Sequence, residues 1–139
     1  MLKRIVRYTW PPAVVAIIIF YLCCLVPVDD IPDVRFRFFI PADKIVHFLM
    51  YFGLAGVASV NYIYDRKGYV IILKLVIFAI LAPILYGGLI EIIQAEYFPE
   101  RSGDRYDLLA DASGALASLP VSLWFRRFVL NRQLQKQDI

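Results

Sequence analysis

The chain has 139 residues, of which 60% are hydrophobic and 19% are charged. Soluble domains are typically about 45 to 50% apolar, so this composition, with a mean hydropathy of +0.64, excludes an ordinary soluble protein. Each crossing of a bilayer uses roughly 20 residues, which leaves room for one integral membrane domain over residues 1–139 and no separate soluble domain. The net charge of +3 comes from basic residues spread over loops without a basic, aromatic-rich face, so nucleic acid is not an expected partner.

Four apolar runs predict an all-α fold, a bundle of four transmembrane helices. Each run is long enough to cross the hydrocarbon core, and the predicted helices cover residues 10–28, 45–64, 69–94 and 107–129. The basic residues before the first run resemble the start of a signal peptide. Because the stretch from Leu22 to Asp30 offers no small-x-small cleavage site, we expect this run to remain as an anchor.

Three local patterns refine the predicted helices. Residues 29–43 alternate arginine with phenylalanine, a period of two that does not fit a helix, so this segment is predicted to lie extended at the membrane interface. Asp43 follows a proline and is predicted to cap the second helix. Pro83 frees the carbonyl oxygen of Ala79 and is predicted to kink the third helix.

The distribution of charge predicts which side of the membrane each end occupies. The N-terminus, the loop between helices two and three with Lys74, and the C-terminal tail together carry ten Lys or Arg and two acids. The opposite side carries five Lys or Arg and ten acids. Cytoplasmic loops are enriched in basic residues, so both termini are predicted to be cytoplasmic and the acidic side extracytoplasmic.

Polar residues at three helix ends are predicted to meet near the outer face. A carboxylate inside a membrane helix costs several kcal/mol unless it is paired or faces a wet cavity, so Glu91 and Asp111 are candidate functional residues. Spacings of three and four place the neighbouring polar residues on shared helix faces. The candidate ligand-binding residues are Asp43, Lys44, His47, Glu91, Gln94, Arg101, Asp104, Arg105, Asp107 and Asp111.

Three motifs in this set resemble those of a known family. The pieces DKIVHFLMYFGLAG, GGLIEIIQ and PERSGDRYDLLADASGALAS are similar to the signatures of the VanZ-like family: Asp-Lys-x-x-His, Glu-x-x-Gln, and Arg followed by Asp before a small-residue Gly motif. The resemblance covers most of the chain and implies a small multi-pass protein of the bacterial inner membrane. Its family includes a member linked to teicoplanin resistance and has no settled biochemical activity. Asp111 stands where many members have Asn, and Glu100 where Gly is frequent, so this site is expected to be more acidic.

The first functional hypothesis is a binding module for an anionic envelope lipid, a lipid-linked cell-wall precursor or a glycopeptide-related ligand. Arginine binds phosphate and carboxylate through two parallel hydrogen bonds, which suits Arg101 and Arg105 together with Lys44. Glu91, His47 and Asp107 would orient the polar part of the ligand.

Two other hypotheses stay open. In the second, the protein is an enzyme acting on a lipid head group, with His47, Glu91 and Asp107 as catalytic candidates. No cofactor is expected, apart from a divalent metal that Asp43, His47, Glu91, Asp107 and Asp111 would ligate. In the third, the polar residues only hold the helices together, and the protein is an accessory to another membrane protein.

Overall fold

The computed structural model describes residues 2–26, 41–98 and 104–136, with side chains from Thr9 onward. Within these ranges the chain is helical and contains no strand. The predicted interfacial segment lies largely outside the described residues, and so does Arg101. The helices are α1 (Leu2–Phe20) with a π-helical turn (Tyr21–Leu25), α2 (Ala42–Asp65), α3 (Ile72–Val76) with a π-helical turn (Ile77–Leu81), α4 (Ala82–Tyr97) and α5 (Arg105–Gln135).

Three helices are long and apolar enough to cross a membrane. They are α2, the continuous rod Ile72–Tyr97 formed by α3 and α4, and α5. The apolar part of the first helix, Thr9–Leu25, is shorter than these three. The described residues therefore confirm an all-helical chain that is compatible with a multi-pass membrane protein.

Three helices begin earlier than the apolar runs predict, and α5 (Arg105–Gln135) also continues past the predicted end at residue 129. The first begins at Leu2, so Pro11 and Pro12 lie inside it rather than in its first turn. The residues before Thr9 mix apolar and basic types, so they are not part of the continuous apolar run that marks the rest of this helix. Helix α2 begins at Ala42 with Pro41 as its N-cap, so Asp43 lies in the first turn and not at the cap. A carboxylate is still favourable there because the helix N-terminus carries a partial positive charge.

The disturbance predicted at Pro83 takes the form of a π-helical turn. Proline has no N–H to donate to the residue four positions earlier, so the regular hydrogen-bond ladder cannot continue through Pro83. Just before it, the amide of Ala82 donates to the carbonyl oxygen of Ile77, five residues back. The first helix ends in the same way, with the amide of Val26 donating to Tyr21 at 3.1 Å. Such turns are single-turn interruptions of an α-helix, often near functional sites.

Helices α2 and α5 pack closely because small residues lie between them. A Cβ atom added at Gly114 would overlap the carbonyl oxygen of Phe48, so the two backbones approach too closely for any larger residue. Ala55 and Ala115 are fully buried beside this contact, together with Ile80 from the α3–α4 rod. This packing fixes the position of the first half of α5, which carries the acidic residues Asp107 and Asp111, against α2.

The opposite end of the bundle, here called the turn end, contains the short α2–α3 turn and the second half of α5. Gly68 has a φ of 86°, a left-handed conformation that glycine adopts without a steric penalty. The Arg126 side chain donates to the carbonyl oxygen of Gly68 at 3.2 Å. Ile63 and Leu75 are fully buried behind the turn. The turn makes α2 and α3 neighbours and ties them to α5.

Candidate functional site

The structure brings seven of the ten candidate residues into one group at the end of the bundle opposite the turn end. We call this group the polar cluster. Helix α2 contributes three side chains, α4 contributes one, and α5 with its N-cap contributes three. The members are Asp43, Lys44, His47, Glu91, Asp104, Asp107 and Asp111.

Lys44 is the centre of the outer half of the cluster. Its ammonium lies 2.5 Å from a carboxylate oxygen of Asp104 and 2.5 Å from one of Asp107. A third carboxylate, that of Asp43, lies 3.0 Å away. The Lys44 side chain is 16% exposed and that of Asp107 is 14% exposed, so this pair is largely shielded from solvent. Lys44 thus offsets charge that Asp104 and Asp107 would otherwise carry unpaired.

Asp104 connects all three helices of the cluster. It is the N-cap of α5, where its side chain accepts a hydrogen bond from the Tyr106 amide at 2.9 Å. Its own amide donates to the Glu91 carboxylate at 2.8 Å, which ties α4 to the start of α5. The hydrogen bond from the Lys44 ammonium, and secondly that from the Tyr106 amide, hold the pKa of Asp104 below its usual value.

The inner half of the cluster contains an imidazole and a buried carboxylate. His47 Nδ1 and Asp111 Oδ1 are 3.0 Å apart, and the side chain of Asp111 is only 1% exposed. One oxygen of Asp111 is therefore in hydrogen-bond contact with His47. The other, Oδ2, is buried and has no hydrogen-bond partner among the described residues.

Two more buried polar atoms near this carboxylate also have no partner in the described part of the chain. They are Oε1 of Glu91 and the hydroxyl oxygen of Tyr51. Tyr51 has 0% exposure, and its ring lies beside Asp111 Oδ2, since both are within 3.2 Å of the position of a Cβ atom at Gly87. Leaving a buried polar group unsatisfied costs about 1 to 3 kcal/mol, so three such atoms in one region call for a ligand, an ion or a proton.

Gly87 allows α4 to approach these atoms closely. A Cβ atom at this position would lie 2.7 Å from Asp111 Oδ2 and 3.2 Å from the ring of Tyr51. Any side chain here would therefore press on the unpartnered oxygen of Asp111. The glycine lets the backbone of α4 pack directly against the buried carboxylate.

Three predicted site residues are not part of this group. Gln94 is buried, but its side-chain amide donates at 2.8 Å to the carbonyl oxygen of Cys23 and joins α4 to the first helix. Arg105 is exposed at the first position of α5. Arg101 lies outside the described residues. The spacing of three between Glu91 and Gln94 therefore places the two side chains against different helices.

The cluster has the composition of a small metal site. One ligand atom from each of His47, Glu91 and Asp111 can be chosen such that all three lie within 4.8 Å of one another.

Two open grooves of about 530 and 580 Å³ lie elsewhere, one beside Gly53 and Gly56 and the other beside Phe128 and Arg132. Neither groove is lined by residues of the polar cluster, so the candidate site is defined by the polar groups and not by a groove.

Sequence reasoning missed Tyr51, which adds a buried hydroxyl to the cluster. The available signal was its position four residues after His47, which places both side chains on one face of α2. An aromatic residue in an apolar run carries no charge, and its role becomes visible only through its neighbours.

Comparisons of the chain with protein-family models, curated proteins and solved structures find no match.

Proposed function

We propose that this chain is a VanZ-like protein of the bacterial inner membrane that recognises an envelope lipid or a lipid-linked cell-wall precursor. In this proposal it crosses the membrane four times with both ends in the cytoplasm, and the polar cluster faces the extracytoplasmic side. The three motifs that resemble the family supply Lys44, His47, Glu91, Asp104, Asp107 and Asp111, which are members of the cluster.

The charges at the two ends of the bundle support this orientation. Basic side chains at the turn end and in the C-terminal half of α5 are Arg66, Lys67, Lys74, Arg126, Arg127, Arg132 and Lys136. The positive-inside rule assigns such an end to the cytoplasm. The first helix would supply the fourth span, because its 17 apolar residues rise about 26 Å.

The single observation that carries the binding role is the set of buried acceptor oxygens without donors. A cluster that only held helices together would be expected to pair its buried polar atoms, because each unpaired atom lowers stability. Asp111 Oδ2 and Glu91 Oε1 are instead unpartnered in the described part of the chain. A ligand with hydroxyl or ammonium donors would satisfy both.

The contacts assign different roles in ligand recognition to the different charged residues. Lys44 is already engaged by three carboxylates, so in this proposal it positions the cluster instead of binding an anion. A phosphate on the ligand would contact Arg105, which is exposed at the start of α5, and Arg101. Sugar hydroxyls or an ammonium group would donate to Glu91 and Asp111.

The test compares two exposed arginines on one helix. Arg105→Ala removes a charge beside the cluster, whereas Arg127→Ala removes one far along α5. Binding of a lipid-linked cell-wall precursor to the protein in nanodiscs should weaken about tenfold in Arg105→Ala, because a charge-assisted hydrogen bond contributes roughly 1.5 to 3 kcal/mol. The Arg127→Ala variant should bind like the wild type. Equal affinity of both variants and the wild type would count against this ligand class.

One observation favours a second candidate function, catalysis on a lipid head group. A carboxylate bonded to Nδ1 of a histidine orients the ring so that its other nitrogen can act as general base, and Asp111 stands in this relation to His47. In that reading, Glu91 and Asp107 are the remaining catalytic candidates. Mass spectrometry of lipids recovered from the same nanodiscs distinguishes the two: a product that disappears in His47→Gln indicates turnover, and unchanged lipid indicates binding.

A further inference from the structure

We propose that His47, Glu91 and Asp111 form a binding site for one divalent transition-metal ion of Zn²⁺ or Mn²⁺ type. This inference rests on the proposed function, since the ion would occupy the inner half of the same polar cluster. The ion would take the place that the proposed function gives to hydroxyl or ammonium donors at Glu91 and Asp111, and the ligand would then contact the ion.

The geometry of the three side chains fits such an ion. Their ligand atoms lie within 4.8 Å of one another and come from three different helices. In a tetrahedral site with metal–ligand distances of about 2.0 Å, the ligand atoms lie about 3.3 Å apart. His47 Nδ1 and Asp111 Oδ1 are 3.0 Å apart and share a hydrogen bond, so an ion would either replace this bond or bind Asp111 through its unpartnered Oδ2.

The unpartnered hydroxyl of Tyr51 points to a ligand independently of the three acidic and imidazole groups. Its side chain is fully buried. The Tyr51 ring and Asp111 Oδ2 lie beside each other, since both are within 3.2 Å of the position of a Cβ atom at Gly87. A hydrated ion bound by Asp111 would give the hydroxyl a water molecule as its hydrogen-bond partner.

The balance of charge also favours a divalent cation. Lys44 contacts Asp43, Asp104 and Asp107, which leaves Glu91 and Asp111 without contact to a Lys or Arg in the described ranges. Two carboxylates buried next to each other repel and are costly in a low-dielectric interior. One ion of charge +2 would neutralise both.

The ligand types select among divalent ions. Imidazole suits Zn²⁺, Fe²⁺ and related ions, and carboxylates suit Mg²⁺, Ca²⁺ and Mn²⁺. A set of one imidazole and two carboxylates is common to Zn²⁺ and Mn²⁺ and disfavours Ca²⁺, which takes six to eight oxygen ligands. Three protein ligands leave at least one coordination position open for water or for an oxygen of the head group.

The experiment measures metal binding without any precursor. The full chain in phosphatidylcholine nanodiscs is stripped with a chelator and dialysed. It is then titrated with Mn²⁺, with bound metal followed by electron paramagnetic resonance and by elemental analysis after gel filtration. A second titration uses Zn²⁺. We expect about one ion per chain, and an affinity at least about tenfold lower in Asp111→Asn and His47→Gln.

Matched controls separate this site from general attraction of cations to acidic side chains. Glu96→Gln removes an exposed acid from the same helix as Glu91 and should leave the affinity unchanged. Asp111→Asn and His47→Gln are tested separately, so the result does not depend on the folding of a single variant. Circular dichroism measures the helix content of each.

The outcomes keep this inference apart from the proposed function. No stoichiometric binding of either ion by the wild type, or equal binding by the wild type, Asp111→Asn and His47→Gln, overturns the metal site. If precursor binding persists in excess chelator, the metal ion takes no part in precursor recognition, and that part of the inference is wrong. Metal binding without any precursor binding leaves the metal site standing and removes the proposed function alone.

Discussion

The two ends of the bundle solve the problem of polar groups in opposite ways. At the turn end, Arg126 donates to the carbonyl oxygen of Gly68, and the core behind the turn consists mainly of apolar side chains such as Ile63 and Leu75. The hydroxyl of Ser59, one turn before Ile63, is buried without a partner among the described residues. At the other end, the polar cluster concentrates acids and leaves Asp111 Oδ2 and Glu91 Oε1 without such partners. The turn end is packed mainly with apolar groups, and the polar cluster holds the unpartnered carboxylate oxygens.

This contrast shows which part of the structure lowers the free energy of unfolding. Unsatisfied buried oxygens and adjacent carboxylates lower the free energy of unfolding, and they persist only where the remaining structure compensates. The close approach of α2 to α5 at Gly114 and the apolar packing at the turn end supply that compensation. Substitutions at the turn end should therefore lower stability without changing ligand or metal binding by the folded protein.

The largest expected effect is a loss of stability when Gly68 at the turn end is substituted. Gly68→Val places a side chain at a φ of 86° and brings its Cβ within 2.9 Å of the Leu130 amide nitrogen. Left-handed strain and the steric overlap together should lower the free energy of unfolding by about 3 kcal/mol. Thermal unfolding in detergent, followed by circular dichroism, measures the loss.

Gly53→Ala is the matched control for this variant. No atom lies within 4 Å of a Cβ added at Gly53, so the change should stay within about 0.5 kcal/mol of the wild type. Equal melting temperatures for Gly68→Val and Gly53→Ala would show that the turn end is not the packed end that the contacts indicate.

An intermediate effect is expected at Lys44. Lys44→Met keeps most of the side-chain length and removes the ammonium that pairs with the shielded carboxylate of Asp107. Removing one partner of a buried pair costs about 3 to 5 kcal/mol, and partial exposure reduces the expected loss here to about 2 kcal/mol. Chemical denaturation compares it with Lys74→Met, which removes an exposed lysine from α3. Similar losses in both variants would mean that Lys44 does not stabilise the cluster.

The smallest expected effect is a pH dependence at Asp104. Its pKa in the folded protein lies below the ordinary value of 3.8, chiefly because Lys44 donates to its carboxylate. A depressed folded pKa contributes stability that is fully present above the unfolded value and is lost as pH falls through the folded value. Below about pH 3.8, the melting temperature of the wild type should therefore fall more steeply than that of Asp104→Asn. Parallel curves from pH 5 to pH 2 would contradict the pairing.

Much of the helical architecture follows from the sequence because long apolar runs are a strong signal. The runs indicated the described helices, and acids inside an apolar run drew attention to Glu91 and Asp111. Helix ends were less accurate, since the first helix continues back to Leu2 through a stretch whose apolar run is interrupted by Lys3, Arg4 and Arg7. The π-helical turns were not predicted, because they change hydrogen bonding without changing composition.

The pairing of charges could not be predicted from spacing alone. The sequence leaves Lys44 free to bind a ligand, whereas the structure has it contacting Asp104 and Asp107, some 60 residues away. Likewise, Glu91 and Gln94 are three residues apart but contact different helices. Tertiary packing decides these partners, and local periodicity carries no information about it.

The bond from Gln94 to the backbone of residue 23 has a consequence for how the chain can vary. The acceptor is a carbonyl oxygen in the π-helical turn, which any residue at that position supplies, whereas the donor is one particular side chain. Cys23 is thus interchangeable as far as this bond is concerned, and Gln94 is not. This hydrogen bond between the first helix and α4 is therefore tolerant to mutation on one side and intolerant on the other.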